Sequence, residues 1–483
     1  MHYTISLWLG STLLFLLLLP GLWLAWRRLY WHPLRNIPGP LLAGLTGWWE
    51  FYFDVIENGT LVKILPCLHC EYRSPVIRIS PNHVHVDDPE FYHVVYRAGT
   101  DYGKAPQFYR ALVYPEAVIS IMDPKKHRVY RNTIAPSFSP AAGELCAPRI
   151  HQVILTAAEK VSQGLQTGQP VNMERLFKCF SVDIIYVTLF GQQDEFVKDY
   201  THPHPLIASM DQITHGTWLA KHFPIINKLP LYLPPALIAP QLAGYAQFRK
   251  QCEAWVEEVR QRREQGQMTT PDGITTIFEA MLQPSEEKGY KARTSNELID
   301  EAALFILAGS DTSAYSLTTV VYYLLTNKGA LYSLCRELGA AEEFIRESSW
   351  EEVRKLPYLW SGRPFRLATP VPGITPRIVP EAGVTVQDYF LPGGNPAKFQ
   401  PERWLGEKGK ALDRWLVAFS KGPRQCVGSP LAYQELSLAI GHIFSRFDFE
   451  LYDTDESSME WVDNVVAVNK RPVQVKVLRD RWA

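Results

Sequence analysis

In "FSKGPRQCVG", Phe419 to Gly428, a cysteine is preceded by Gly422 and Arg424 and followed by Gly428. A sulfur so placed could attack an electrophile or give its electron pair to a metal. Downstream, Ala432, Leu436, Ala439 and Ile443 fall at i, i+4, i+7 and i+11, the spacing of an amphipathic helix. Pro430 is tolerable only in that helix's first turn. Cys426 is therefore predicted just ahead of a helix N-terminus, where unpaired N–H groups and the dipole favour thiolate over thiol. Gly422 and Gly428 let the backbone bend tightly and let a large flat partner lie against it. Arg424 offers that partner's anionic group a permanent cation. A nucleophile would need a histidine base close by, which linear spacing does not reveal.

A second small, polar cluster is "AGSDTS", Ala308 to Ser313. The element that must carry it is long. Thr294 and Glu297 have capping-box spacing, Asn327 with Gly329 supplies a stop, and no proline lies between. At 1.5 Å per residue the predicted helix reaches about 48 Å, enough to pass through the body of a domain. Its stripe Leu298, Ala302, Phe305, Gly309, Thr312 starts bulky and turns small and polar. Glycine inside a helix costs about 1 kcal/mol relative to alanine. Something must approach the backbone there, either a bound group or a crossing helix. Asp311 and Thr312 can hydrogen-bond to neighbouring carbonyls or hold a water. The rest of Pro140–Asn327 reads as helices separated by proline breaks.

The chain's 483 residues are 46% hydrophobic, ample for a large core, and no linker composition or repeat divides them. The 49 basic and 50 acidic residues nearly cancel and are mixed, so nucleic-acid binding has no electrostatic support. Seven thinly spread cysteines do not make a disulfide framework. Cys67 and Cys70, in "CLHC", lack a second pair at zinc spacing and read as neighbours on a helix face. From Ile5 to Trp26 no residue is charged; Arg27 and Arg28 follow, with Trp23, Trp26, Tyr30 and Trp31 as interfacial aromatics. That is the pattern of a membrane helix with the rest of the chain on the cytosolic side. Residues 1–31 read as an anchor, 32–40 as a proline-rich hinge, and 41–483 as one catalytic domain.

Phe-x-x-Gly-x-Arg-x-Cys-x-Gly, complete at Phe419, Gly422, Arg424, Cys426 and Gly428, resembles the haem-thiolate signature of the cytochrome P450 family. The resemblance runs from the anchor to the end of the chain, and "AGSDTS" matches a second family element. It implies a mainly α fold with a small β-rich side, here with one N-terminal transmembrane helix. It implies haem b with Cys426 on the iron, a thiolate whose electron push favours O–O cleavage. By the same match, Gly309 leaves space for dioxygen, while Asp311 and Thr312 relay protons. His127 and Arg131 of "HRVYRNTIAPSFS", Arg377 of "PRIVP", and Arg424 match the family's propionate partners. The expected activity is monooxygenation of a small apolar compound with O2, at the endoplasmic reticulum membrane. Electrons would come from an NADPH-dependent flavoprotein reductase, since no nucleotide-binding glycine motif appears. Stretches such as "SPVIRISPNHVHV" are similar to fungal secondary-metabolism members, among them trichodiene oxygenase-like enzymes, which suggests a terpenoid-sized substrate.

The pattern breaks in two places. Where the family has Glu-x-x-Arg, "LPYLWSGRPFRLATPVPG" places Arg363 at the glutamate, Arg366 at the arginine and Pro364 inside the supposed helix. Three cations, with Arg403 of "FQPERW", would then meet without their anion; breaking such a buried network costs about 3–5 kcal/mol. Also, "YFLPGG" runs straight into "NPAKFQPERW", without the strand that relatives place after Gly394. Two alternatives stay open on this ground: a non-catalytic product of a mis-assigned or decayed gene, and an O2-independent haem-thiolate isomerase or dehydratase.

Overall fold

Prolines start the helices that the sequence pattern separates. In the computed structural model, α1 (Leu61–Tyr72) lies in the N-terminal part, and α2 (Pro124–Ile134), α3 (Pro140–Thr167), α4 (Met173–Phe190), α5 (Pro205–His222) and α6 (Pro240–Glu264) follow. Then come α7 (Ser295–Thr326), α8 (Lys328–Ala340) and α9 (Ser429–Arg446). The structure describes residues 19–100, 102–109, 112, 114–191, 196–202, 204–225, 240–266, 276–285, 289–361, 368, 370–372, 377–378 and 417–483.

At the first helical position proline's missing N–H costs nothing, because that donor has no partner inside the helix. Asp123 accepts from the Lys125 and Lys126 amides ahead of α2, and Ser139 accepts from Ala142 ahead of α3. Gly168 and Gly191, at φ 67° and 70°, close α3 and α4 in the left-handed region that glycine enters without strain. The capping box of α7 is present, with Thr294 and Glu297 each bonding the other's backbone, and the helix spans 32 residues as expected.

The strands are short and all antiparallel: β1 (Val76–Ser80) with β2 (His83–Val86), and β3 (Gly103–Lys104) with β5 (Arg377–Ile378). A three-stranded sheet runs β4 (Val171–Asn172), β9 (Gln474–Asp480), β6 (Phe447–Tyr452), and β7 (Trp461–Asn464) forms a hairpin with β8 (Val466–Asn469). The expectation of a mainly helical fold with a small β-rich part holds.

Residues 19–95 form one compact unit and residues 96–378 with 417–483 another. In the first, Cys67 and Cys70 are exposed on α1 and unpaired. Residues 19–30 are helical and 31–40 are not. Of the anchor expected over 5–26, residues 5–18 lie outside the described residues; among those described, no helix is long and apolar enough to cross a membrane. In the second unit, α4 is buried on nearly every side and packs along α7, which is itself buried for most of its length. A helix apolar all round belongs in the middle of a domain.

Candidate functional site

The cysteine loop is held by its own backbone. Gly422 has φ +69°, and a Cβ there would collide with the Tyr96 carbonyl, so only glycine fits. The Cys426 amide donates to the Phe419 carbonyl at 2.9 Å, closing the loop, and α9 begins three residues later with Pro430 in its first turn. Gly428 lies beside the sulfur: a Cβ there would stand in ordinary contact, 3.9 Å from both Cys426 Sγ and the Phe138 ring. Phe419 packs on Tyr433, with ring centroids 4.9 Å apart.

Cys426 is exposed, yet burial by the surrounding protein pushes its thiol up. The Gly428 and Ser429 amides, hydrogen-bonded toward the sulfur, and the nearby Arg131 act in the opposite direction.

Near the sulfur the structure gathers His127, Arg131, Arg377 and Arg424. His127, 5% exposed, and Arg131 share one face of α2. Burial, then Arg424, Lys104, Arg131 and Arg377, depress His127 to about 3, so it is neutral at ordinary pH. Arg424 is itself lowered to about 10 by burial and by Arg377. Lys104 is the member the sequence did not reveal. It is 7% exposed, pairs with Arg377 across β3 and β5, and falls to about 6 through burial, Arg424 and Arg377. Arg424 Nη1 and Arg377 Nε are buried without a hydrogen-bond partner among the described residues. Among the described residues, the carboxylate that acts on Arg424 is Asp123, exposed at the N-cap of α2. Five basic side chains around orphaned N–H groups make a receptor for a group bearing two anions.

Along α7, buried before and after, Ala308 is exposed and Gly309 and Thr312 are half-buried. Thr312 Oγ1 donates to the Ala308 carbonyl at 2.7 Å. A Cβ on Gly309 would run into the Ile185 side chain of α4, so the glycine allows a close helix crossing there. Asp311, 8% exposed, pairs with Lys178 of α4 and accepts from Thr214 Oγ1 of α5 at 3.3 Å. Lys178 also lies 3.4 Å from the Asp211 carboxylate. Burial works against its charge, but Asp311 and Asp211 prevail and its pKa is raised. Asp311 lines a cavity of about 470 Å³ together with Glu174, Lys178, Asp211 and Asn469.

Two contacts tie the cysteine side to α7. Phe138, near Gly428, meets Phe305 with centroids 5.7 Å apart. Ser313 of α7 donates to Glu435 of α9, which is 2% exposed. Burial pushes Glu435 up to about 8, against the pull of the Ser313 hydroxyl. Between its ordinary 4.5 and about 8, the unfolded chain ionises while the folded one keeps the proton. The folded state then binds more protons, so stability falls as pH rises through that window. Glu435→Gln, which mimics the neutral acid, is expected to flatten that fall in melting temperature measured against pH; parallel profiles for variant and wild type would refute the assignment.

Arg363, Pro364, Arg366, Arg403 and the junction after Gly394 lie outside the described residues.

The profile of the family described as Cytochrome P450 matches residues 44–477. The chain is 38% identical over 476 residues to the cytochrome P450 monooxygenase phqM of Penicillium fellutanum, covering 93% of this chain and 88% of that one. It is 34% identical over 478 residues to the cytochrome P450 monooxygenase aneF of Aspergillus aculeatus, with 94% and 97% covered. Its fold matches the crystal structure of the cytochrome P450DA haem domain with a TM-score of 0.69, covering 92% and 98% of the two chains at 15% identity.

Proposed function

Because the chain belongs to the cytochrome P450 family, a haem-thiolate oxidoreductase class, we propose that it inserts one atom of O2 into a small apolar, terpenoid-sized compound of fungal secondary metabolism. The residues fit the haem the family uses. Cys426, exposed beside Gly428, would ligate the iron, while Arg131, Arg377, Arg424, His127 and Lys104 would hold the propionates. The orphaned Arg424 Nη1 and Arg377 Nε support that assignment. Haem bound there supplies the oxygen-activating redox chemistry.

What remains for the protein is to orient, exclude water and move protons. The observation that carries the reading is the interruption of α7's burial at Ala308 and Thr312. A small side chain and a hydroxyl open there, on the helix tied to the cysteine loop through Phe138 and Glu435. Thr312 Oγ1, now donating to the Ala308 carbonyl, would hand its proton inward; Asp311, lining the cavity of about 470 Å³, would restore it from solvent. Electrons would come from an NADPH-dependent flavoprotein reductase. Residues 1–31 would hold the enzyme at the endoplasmic reticulum membrane with the catalytic domain in the cytosol, a reading supported by exposed Trp23, Trp26, Tyr30 and Trp31 beside Arg27 and Arg28.

The test is reconstitution with such a reductase and a terpene panel, following oxygen uptake, peroxide release and product together. Thr312→Ala should keep oxygen uptake but lose tenfold or more of the product per O2, within the span of general acid–base contributions. Product formed without O2, or unchanged coupling in the variant, would sink the proposal.

A further inference from the structure

Arg78 of β1 is 5% exposed, yet among the described residues no carboxylate pairs with it. Its Nη1 donates to the Arg28 carbonyl at 3.3 Å and its Nη2 to the Pro81 carbonyl at 2.8 Å, while Nε is buried without a partner. Burial, then the charge of Arg28, lowers its pKa. A buried cation normally brings a counter-ion, because its charge is costly to desolvate alone. Here it meets instead the C-terminal end of the helix over residues 19–30.

That end carries more positive charge than a helix terminus uses. Arg28, half-buried, donates from Nη1 to the Leu45 carbonyl at 2.6 Å. Arg27 is exposed, its guanidinium 5.7 Å from the centre of the Trp23 ring. Neither meets a carboxylate among the described residues. All three arginines act on His32: burial first, then Arg78, Arg27 and Arg28, hold it below its ordinary value. The carbonyl end of a helix carries only about half a negative charge, so three arginines leave it strongly positive. The arrangement is also held in place. The Arg78 amide donates to the Pro38 carbonyl at 2.7 Å, and a Cβ on Gly39 would collide with the Arg78 carbonyl.

Around these cations Trp23, Trp26, Tyr30 and Trp31 are exposed. Such rings settle where one side is apolar and the other wet. A free anion would use the arginines and leave the rings in water. An anion tethered to an apolar body would use both.

We infer that Arg27, Arg28 and Arg78 form a docking site for the phosphate-bearing headgroup of an anionic phospholipid, with Arg78 as the fixed charge behind the two arginines of the helix end. This rests on the proposed reading of residues 1–31 as a membrane anchor.

The test places the full haem-loaded chain in phosphatidylcholine nanodiscs containing a trace of pyrene-labelled phosphatidylserine or of pyrene-labelled phosphatidylcholine. Energy transfer from tryptophan reports which probe gathers at the site, and the serine lipid should be favoured severalfold. An arginine beside an anionic lipid strengthens attraction about fivefold, so Arg27→Gln should cut the preference by about that factor. Arg78→Met should do the same, with the reduced carbon-monoxide spectrum unchanged in both; if it does not hold haem, Arg27→Gln with Arg28→Gln decides. Arg35→Gln, an exposed arginine of the neighbouring segment, controls for diffuse charge and should alter the preference by less than about twofold. Equal transfer to both probes, or the same loss in Arg35→Gln, overturns the inference. Loss of the preference in millimolar inorganic phosphate would assign the arginines to a free anion and overturn the lipid. A chain that stays out of the discs fails the anchor reading and the inference together; one that enters them without headgroup preference fails the inference alone.

Discussion

Cys426→Ser is expected to erase the thiolate-ligated Soret band of the reduced carbon-monoxide complex and, with it, activity by a factor of at least about a thousand. The size follows from which bonds the side chain makes. The loop is closed through the Cys426 backbone, whose amide donates to the Phe419 carbonyl and whose carbonyl accepts from the Ser429 hydroxyl at 3.3 Å, so serine leaves its path intact. Gly422 and Gly428 are untouched, as are the cations of α2, β3 and β5. Only the sulfur disappears, and a neutral hydroxyl cannot replace the electron donation of a thiolate. Circular dichroism and melting temperature should therefore match those of the wild type, while the difference spectrum does not. An unchanged Soret band in the variant would remove Cys426 from the iron. The same measurement on the wild type addresses Arg363: a band there means that the chain holds haem despite the missing glutamate.

Local patterns were legible in the sequence because local physics produces them. The capping box of α7, its 32-residue length and the start of α9 beside Pro430 follow from neighbours a few positions apart. So does the shared face of His127 and Arg131. Lys104 was not legible, because β3 meets β5 across more than half of the chain, and only that pairing brings it beside Arg377. The neighbour of Gly309 was hidden for a related reason. A small residue in a helix announces a close approach, but only the fold says that the approaching group is Ile185. Asp311 was recognised as a polar group on the right helix, while Lys178 and Thr214, which hold it, come from separate elements.

The cation cluster yields a prediction in which two measurements move in opposite directions. Arg424, Arg377, Arg131 and Lys104 lie close enough for their charges to act on His127 together, while among the described residues Tyr109 and the exposed Asp123 act on Arg424 in the opposite sense. Without a bound anion this crowding is repulsive, and burial has already lowered Arg424, Arg131 and Lys104. Arg424→Met should therefore leave the haem-free protein no less stable, and by melting temperature slightly more so. The same change should loosen haem, because a propionate would lose its buried partner at a cost of about 2–5 kcal/mol, or roughly thirty- to several-thousand-fold in affinity. Transfer of haem to apomyoglobin measures that loss directly. His127→Phe is the control, since the same cations keep this imidazole neutral, and it should change haem retention by less than about tenfold. If Arg424→Met retains haem as the wild type does, the propionates are held elsewhere, and the orphaned N–H groups of Arg424 and Arg377 need another anion to explain them.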